Sequence, residues 1–214
     1  MTRLAPVLAR PWLDVALPGR MRTLGWCLNA PGHVAGDRVH WREVRDDDLP
    51  EGLDVGAWLA RDLAATGRTG PCFLTSRDVS RHVVRHVDAD GAAAGAVATV
   101  GLSNAERIGR RAGGHAAAGT INVLVVASVP LGAGALVEAV SLAAEARTAA
   151  VMEAGPDLPS GRATGTGTDC LLVAAPQGTG AAHAGKHTAI GEAIGRAVYE
   201  AVACGVAAWM EEWA

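Results

Sequence analysis

Apolar and polar residues alternate along the chain in patterns that predict both helices and strands. Helical spacing of apolar residues indicates helices at 55–65, 136–152 and 188–209. Shorter β-prone runs, several of them bounded by Gly, Pro or Asn, predict strands at 23–30, 39–44, 72–75, 92–104, 120–129 and 166–175. A further helix, capped near Ser76, is expected to place His82 and His86 one turn apart.

The order of these elements predicts one α+β domain over residues 1–214. In the second half strands alternate with helices, whereas the first half has two strands joined by a turn at 29–33 with no helical crossover. We therefore expect a two-layer α/β sandwich, in which a mixed or antiparallel sheet is covered by helices. The segment 108–118 is rich in arginine and glycine, lacks periodicity and is expected to be a mobile loop.

The composition is typical of a cytoplasmic protein with a sizeable core. Half of the 214 residues are hydrophobic, and the net charge of -3 argues against nucleic acid as a partner. Four cysteines without a Cys-x-x-Cys pair are typical of reduced thiols in the cytosol. The first 19 residues contain no uninterrupted apolar stretch, which predicts no signal peptide. Glu192, Arg196 and Glu200 recur through the last helix and argue against a membrane partner.

A turn rich in glycine and threonine leads into the last predicted strand. Thr164, Thr166, Thr168 and Asp169 lie within 161–176 and are followed by an apolar run. Glycines let backbone N–H groups approach a ligand closely, while the hydroxyls and the carboxylate add donors, acceptors and one ionisable group. The turn predicts a site for a polar substrate or an oxyanion, although the same pattern also occurs in solvated hairpins.

Four further segments accompany this turn in order. They are Ala-Thr-Val-Gly-Leu-Ser-Asn-Ala at 98–105, Gly-Thr-Ile-Asn-Val-Leu-Val-Val at 119–126, Glu-Ala-Arg-Thr-Ala-Ala at 145–150 and Ala-Gly-Lys-His-Thr-Ala-Ile-Gly at 184–191. With the turn, this set resembles the adenosylcobinamide amidohydrolases over about residues 23–202. Arg147 stands where lysine is usual in that family, which keeps the charge but changes its geometry.

The resemblance implies an enzyme of corrinoid salvage. Such an enzyme cuts the amide that joins aminopropanol to a propionate arm of the corrin ring in adenosylcobinamide and leaves adenosylcobyric acid. It implies a small-molecule corrinoid substrate and no cofactor of the protein's own, because cobalt arrives inside the substrate. The sequence contains no Asp-x-His-x-x-Gly string, through which one class of corrinoid-binding domain offers histidine to cobalt, and no Walker loop.

Five residues are candidates for the chemistry of amide hydrolysis, which needs an activated nucleophile, donors for the oxyanion and an acid for the leaving amine. Asp169 is a candidate base or orienter, and the N–H of Thr168 belongs to a candidate anion-binding turn. Lys186 and His187 precede the last helix, and the resemblance favours their use in substrate binding or proton transfer. Thr120 begins a buried strand, where a threonine amidase would place its nucleophile.

Six residues are expected to bind substrate through amide, hydroxyl or carboxylate groups: Asn29, Asn104, Asn122, Thr164, Thr166 and Glu145. Amides and hydroxyls both donate and accept hydrogen bonds, as the amide arms of a corrin ring require. Strand periodicity places Asn122 on the same face as Thr120. Only the resemblance makes Glu145 a candidate, because helix carboxylates of this kind are usually solvated.

Two other functions stay open at this point. A threonine-nucleophile amidase acting on another small amide would use Thr120 after chain cleavage before that residue, and would yield two fragments. A non-catalytic corrinoid-binding module would hold the amide arms without hydrolysis. No metal site is predicted, because Val-Val-Arg separates His82 from His86 where a zinc protease has a glutamate. The small residues of the last helix are compatible with a monomer or a homo-oligomer.

Overall fold

The computed structural model describes residues 3–111 and 118–213. Within them the helices are α1 (Val55–Ala65), α2 (Ala133–Ala154) and α3 (Ala189–Trp213). The strands are β1 (Val7–Ala9), β2 (Trp12–Cys27), β3 (Ala30–Glu43), β4 (Cys72–Thr75), β5 (Val83–Ala89), β6 (Ala92–Val100), β7 (Ala105–Glu106), β8 (Ile121–Ala127), β9 (Asp157–Leu158), β10 (Gly161–Arg162), β11 (Gly165–Thr166) and β12 (Cys170–Pro176).

Eight of these strands form one mixed sheet, in the order β4-β3-β2-β12-β8-β6-β5 with β1 paired to β2. β12 runs parallel to β8 and β4 runs parallel to β3, while the other neighbours are antiparallel. A mixed sheet combined with helices confirms the predicted α+β class. Because β8 and β12 are parallel neighbours, the residues that precede them meet at one edge of the sheet.

Hydrophobic clusters cover both faces of the central strands. On one face Val123, Val125 and Val173 pack with the buried side chains of α2 and α3. On the other face Leu124 and Leu172 belong to a cluster with residues of β2, β3 and β4, namely Leu13, Val15, Val39, Trp41 and Phe73. β8 is therefore buried on both sides, which explains why its sequence is almost continuously apolar.

The sheet curls until β4, at one end of the strand order, reaches β8. The side-chain amide of Asn122 donates to the carbonyl oxygen of Leu74 at 2.8 Å. The register between β2 and β3 shifts between Ala16 and Met21, and such an irregularity increases the local bend and twist of a strand pair. The curl leaves an opening between β4 and the beginnings of β8 and β12.

Several predicted elements are confirmed. α1 and β4 have the predicted bounds, 55–65 and 72–75. α2, α3, β6 and β8 occupy the segments predicted for them, with ends displaced by a few residues. The predicted strand at 166–175 is divided into β11 and β12 by the turn at 167–169.

The prediction for the first hairpin is wrong in its bounds. β2 begins at Trp12 instead of residue 23, and β3 begins at Ala30, so the connecting turn is at residues 28–29 and not at 29–33. Pro18 and Gly19 interrupt the apolar pattern in the middle of β2, although both flanking halves alternate between buried and exposed positions. β1 was not predicted.

The helix predicted near Ser76 is also wrong. Asp78 caps a short 3-10 turn at Val79–Arg81, with its side chain accepting from Ser80 N at 2.8 Å. Strand β5 follows directly, so His82 precedes a strand and His86 lies within it. Their spacing of four residues does not place them one helical turn apart.

Part of the predicted loop at 108–118 lies outside the described residues, since 112–117 belong to the undescribed segment. Before it, Arg110 N donates to the Arg107 carbonyl oxygen at 3.0 Å and closes a turn. Among the helices that the structure describes, none is long and apolar enough to cross a membrane.

Candidate functional site

A cavity of about 560 Å³ opens at the edge of the sheet where β8 and β12 begin. Its walls come from the end of β2, from β4, and from the segments 118–120 and 167–170. The polar side chains of its lining include Thr120, Asn122, Thr168 and Asp169. We call it the β8–β12 cavity.

Asp169 uses both of its carboxylate oxygens for hydrogen bonds within the protein. Oδ1 accepts from Ile121 N at 3.1 Å and from Thr166 Oγ1 at 2.5 Å. Oδ2 accepts from Thr166 N at 3.0 Å and forms an ion pair with Arg147. A carboxylate offers about four acceptor positions. Because these four partners fill its acceptor positions, Asp169 is suited to orient neighbouring groups and not to act as a base.

Arg147 reaches this carboxylate from α2. Its side chain is only 15% exposed, and burial lowers the pKa of Arg147 from its ordinary value, but a guanidinium stays charged in proteins. Gly165 makes room for the pair, because a Cβ at that position would lie 2.8 Å from Arg147 Nη1. Arg147 belongs to the segment 145–150 of the family pattern, but its contact with Asp169 does not follow from the sequence.

The hydroxyl groups at the base of the cavity point their protons towards backbone carbonyls. Thr120 Oγ1 lies 2.9 Å from the Thr168 carbonyl oxygen and 3.3 Å from Asn122 Oδ1. Thr168 Oγ1 donates to the Gly119 carbonyl oxygen at 2.7 Å. Because a hydroxyl has one proton and two lone pairs, Thr120 and Thr168 keep acceptor capacity for a ligand N–H or a water molecule.

Trp26 forms an apolar wall of the cavity. Its indole Nε1 donates to the backbone carbonyl oxygen of Asp169 at 2.7 Å, and the residue is 44% exposed. The hydrogen bond fixes the ring beside Asp169 while one part of it stays accessible. Leu28, also exposed, continues this wall. Trp26 was not predicted as a site residue, because nothing in its sequence context distinguishes it from the other tryptophans.

Three thiols lie at or beside the cavity. Cys170 Sγ is 3.9 Å from Cys27 Sγ, and this hydrogen bond together with burial raises the pKa of Cys27. Burial raises the pKa of Cys72 as well. Since the thiolate is the reactive form of cysteine, Cys27 and Cys72 are not candidate nucleophiles.

Two other predicted binding residues, Thr164 and Thr166, lie on the far side of Asp169. Thr164 Oγ1 accepts from Ile108 N at 2.8 Å, and Thr166 Oγ1 is bound to the Asp169 carboxylate. Both threonines line a smaller cavity of about 200 Å³, which also includes Arg147. Asp169 lines both cavities and separates them.

Asn104 and Asn29 have different surroundings. Asn104 is buried next to the turn, with Nδ2 at 3.5 Å from Thr168 Oγ1 and with no partner for Oδ1 among the described residues. Asn29 uses both ends of its amide: Nδ2 donates to Gly70 O at 2.9 Å, and Oδ1 accepts from Cys72 N at 3.0 Å. Asn29 therefore links the hairpin turn to β4, and its use in substrate binding stays a prediction.

Glu145, Lys186 and His187 lie together in another depression, of about 350 Å³. Lys186 Nζ forms an ion pair with Glu145, and both side chains are more than half exposed. Thr188 caps α3, because its Oγ1 accepts from Gly191 N at 3.0 Å. The described lining of the β8–β12 cavity includes none of these residues. The structure thus divides the predicted catalytic residues between two surfaces.

The histidines considered as metal ligands have hydrogen-bond partners within the protein. His86 Nε2 accepts from Leu4 N at 2.8 Å, and His82 Nδ1 lies 2.8 Å from the Val79 carbonyl oxygen. In the ranges 3–111 and 118–213, no group of three or more His, Cys, Asp or Glu side chains is arranged to hold a metal ion.

Comparison with known proteins identifies one family. The family model described as adenosylcobinamide amidohydrolase matches residues 3–214. An uncharacterized protein of Methanocaldococcus jannaschii is 37% identical over 77 residues, which is 35% of this chain and 30% of that protein, so the match spans under a third of the relative. A Pyrococcus horikoshii protein of known crystal structure aligns with 98% of this chain and 83% of its own, at a TM-score of 0.44 and 10% identity.

Proposed function

The chain belongs to the adenosylcobinamide amidohydrolase family, and we propose that it hydrolyses the amide bond of adenosylcobinamide to give adenosylcobyric acid and 1-aminopropan-2-ol. The observation that carries this proposal is the family match over residues 3–214, nearly the whole chain. Membership implies amidohydrolase activity and a small corrinoid substrate. The proposed reaction salvages cobinamide for coenzyme B12 synthesis.

We assign the reaction to the β8–β12 cavity. The base of the cavity is polar and is formed by Thr120, Asn122 and Thr168, whereas its walls are apolar and include Trp26. This combination suits an amide arm that projects from a largely apolar ring. The hydroxyl oxygens of Thr120 and Thr168 can accept a hydrogen bond from the N–H of such an amide. Asp169 acts in this proposal as a positioning residue, because its bonds to Ile121 and Thr166 fix the turn that carries Thr168.

In the proposed reaction water adds to the amide carbonyl and the C–N bond breaks. The acyl carbon keeps the water oxygen as part of a carboxylate. The leaving nitrogen takes up both protons of the water molecule and departs as the ammonium form of 1-aminopropan-2-ol. Thr120 Oγ1 lies within hydrogen-bond distance of a backbone carbonyl oxygen and an amide oxygen, and neither oxygen can act as a base to activate the hydroxyl. For this reason water, and not Thr120, is the nucleophile in this proposal. The acceptor positions of Thr120 then orient either the water or the scissile N–H.

One observation favours a second function, corrinoid binding without hydrolysis. Among the described residues that line the β8–β12 cavity there is no His, Lys, Arg or Glu. Asp169, the carboxylate of that lining, already has four partners. A binding module needs no general base, whereas amide hydrolysis depends on proton transfer.

Mass spectrometry of adenosylcobinamide incubated with the full chain separates the two functions. We expect adenosylcobyric acid and free 1-aminopropan-2-ol, in samples treated with a chelator as well as in samples given divalent metal. Equilibrium dialysis of the same samples measures binding. Tight binding with intact substrate would establish the binding module, and neither binding nor product would overturn both functions.

A further inference from the structure

A groove of about 690 Å³ adjoins the β8–β12 cavity. The two share Val44, Ser76 and Ala118 in their linings, so one ligand can occupy both. The cavity itself, at about 560 Å³, has the size of a site for a drug-sized ligand. A corrin ring with an axial adenosyl group is much larger than that. A substrate whose scissile amide lies in the cavity must therefore extend beyond it.

Two stacked tryptophans at the end of α3 form one wall of this groove. The ring centroids of Trp209 and Trp213 are 5.3 Å apart, with an angle of 14° between the ring planes. Trp209 is 9% exposed and packs in the core, whereas Trp213 is 64% exposed. The inner ring supports the outer one, and the exposure of Trp213 leaves aromatic surface available for a ligand.

A salt bridge holds this wall against the cavity. Arg77 Nη2 donates to Glu212 Oε1 at 2.9 Å, and Arg77 is largely buried, with 10% of its side chain exposed. Arg77 directly follows Ser76, which lines both the groove and the cavity. The last turn of α3 is thereby tied to the segment that forms the cavity wall. A site fixed in this way before the ligand arrives loses less entropy on binding.

Hydrogen-bond acceptors lie elsewhere in the groove lining. Asp46 and Asp47 are exposed and belong to the 3-10 turn that follows β3. Carboxylates accept hydrogen bonds from amino groups. An aromatic platform combined with carboxylate acceptors suits a flat, amino-bearing heterocycle, and adenine is such a group.

We propose that this groove is the subsite for the adenine base of the substrate's adenosyl group. Trp213 stacks on the base, and Asp46 and Asp47 accept from its exocyclic amine. The inference rests on the proposed function and adds to it a residue that distinguishes adenosylated from non-adenosylated corrinoids. Trp213 is a specificity residue and takes no part in the hydrolysis of the amide.

Steady-state kinetics of the full chain with adenosylcobinamide and cyanocobinamide test this subsite. Loss of one stacked base typically weakens binding about tenfold or more, so Trp213→Ala should raise KM for adenosylcobinamide by about that factor. KM for cyanocobinamide should change by less than about twofold, since that substrate has no adenine. Trp213→Phe should restore most of the loss, and Glu211→Ala, an exposed neighbour outside the groove lining, should match the wild type.

Equal effects of Trp213→Ala on the two substrates, or no effect on either, would overturn the inference. Absence of hydrolysis with the wild type would instead count against the proposed function, and equilibrium dialysis of adenosylcobinamide with wild type and Trp213→Ala would then decide on the subsite. Sedimentation of the wild type and of Trp213→Ala tests whether the groove is instead occupied by a second copy of the chain. A loss of self-association with unchanged adenosylcobinamide binding would also overturn the inference.

Discussion

The carboxylate of Asp169 accepts a hydrogen bond from the backbone N–H of Ile121, with 3.1 Å between Oδ1 and N. Asp169 ends the turn before β12, and Ile121 is the first residue of the parallel strand β8. Asp169 also binds Arg147 on α2. One carboxylate therefore fixes the turn against both the sheet and a helix, and the shape of the cavity base depends on it.

Replacement of Asp169 by alanine should destabilise the protein strongly. It leaves the buried guanidinium of Arg147 without its partner, and breaking a buried pair in this way typically costs about 3–5 kcal/mol of unfolding free energy. Urea unfolding of Asp169→Ala measures the change. We expect loss of amide hydrolysis as well, because Thr168 is no longer held in place.

Asp157→Ala is the matched control. Asp157 pairs with Arg162 at 3.2 Å, but its side chain is 76% exposed, and exposed pairs contribute about 0–1 kcal/mol. If Asp169→Ala lowered the unfolding free energy by no more than Asp157→Ala does, the result would contradict the structural role of the Asp169–Arg147 pair.

The sequence predicts the second half of the fold better than the first. In β8 and β12 the apolar runs are short and bounded by turn residues, and the buried residues of α2 recur at helical spacing between Ala135 and Val151, so local pattern and tertiary structure agree. β2 is long and irregular, and Pro18 and Gly19 hide its alternation. A cap near Ser76 predicts a helix, but the segment Val83–Ala89 pairs with β6 over its whole length as β5. This strand is determined by its pairing with β6, a tertiary contact that the local sequence pattern does not reveal.

The candidate site was predictable only in part. The threonines and Asp169 occupy one turn, so their proximity follows from the sequence. Thr120 reaches Thr168 through the parallel pairing of β8 and β12, a register that cannot be derived from the sequence. Trp26 and Arg147 join the site through contacts between distant segments. Lys186 and His187, placed in the site by the family resemblance, lie in a separate depression.

The threonine-nucleophile alternative predicts cleavage before Thr120. We expect instead an intact chain, because Thr120 Oγ1 lies close to a backbone carbonyl and the Asn122 amide oxygen, and neither is a base. The intact mass of the purified protein tests this directly. Two fragments that meet between Gly119 and Thr120, together with activity only in the cleaved form, would establish the alternative.

The half-buried Asp14 predicts a specific dependence of stability on pH. Burial acts to raise the pKa of Asp14, but hydrogen bonds from Arg68 and His40 outweigh it and hold the pKa below its ordinary value. A carboxyl group whose pKa is lowered by folding stabilises the protein above its unfolded pKa of about 3.9, and this contribution is lost as the pH falls through the folded pKa.

Asp14→Asn should therefore be less stable than the wild type at neutral pH, by about 1–3 kcal/mol for hydrogen bonds to a charged group. The difference should shrink as the pH falls below about 4. Urea unfolding at a series of pH values measures it, with Asp37→Asn, an exposed acid on β3, as the control. A difference that grows towards acid pH would contradict the assigned sign.

Lys186→Ala tests whether the second depression takes part in the reaction. The Lys186–Glu145 pair is exposed, so its loss should change the unfolding free energy by less than about 1 kcal/mol. Because the pair lies outside the lining of the β8–β12 cavity, we expect kcat for adenosylcobinamide to stay within about twofold of the wild type. A large fall in kcat with unchanged stability would restore Lys186 as a catalytic residue.

Thr120→Val is the decisive variant for deciding whether amide hydrolysis takes place at the base of the β8–β12 cavity. The change removes one hydroxyl and nearly preserves the shape of the side chain. We predict that release of 1-aminopropan-2-ol from adenosylcobinamide slows by about a hundredfold, as expected for loss of a group that orients the reactants. Release at the wild-type rate by a folded Thr120→Val protein would contradict the assignment of the reaction to this cavity.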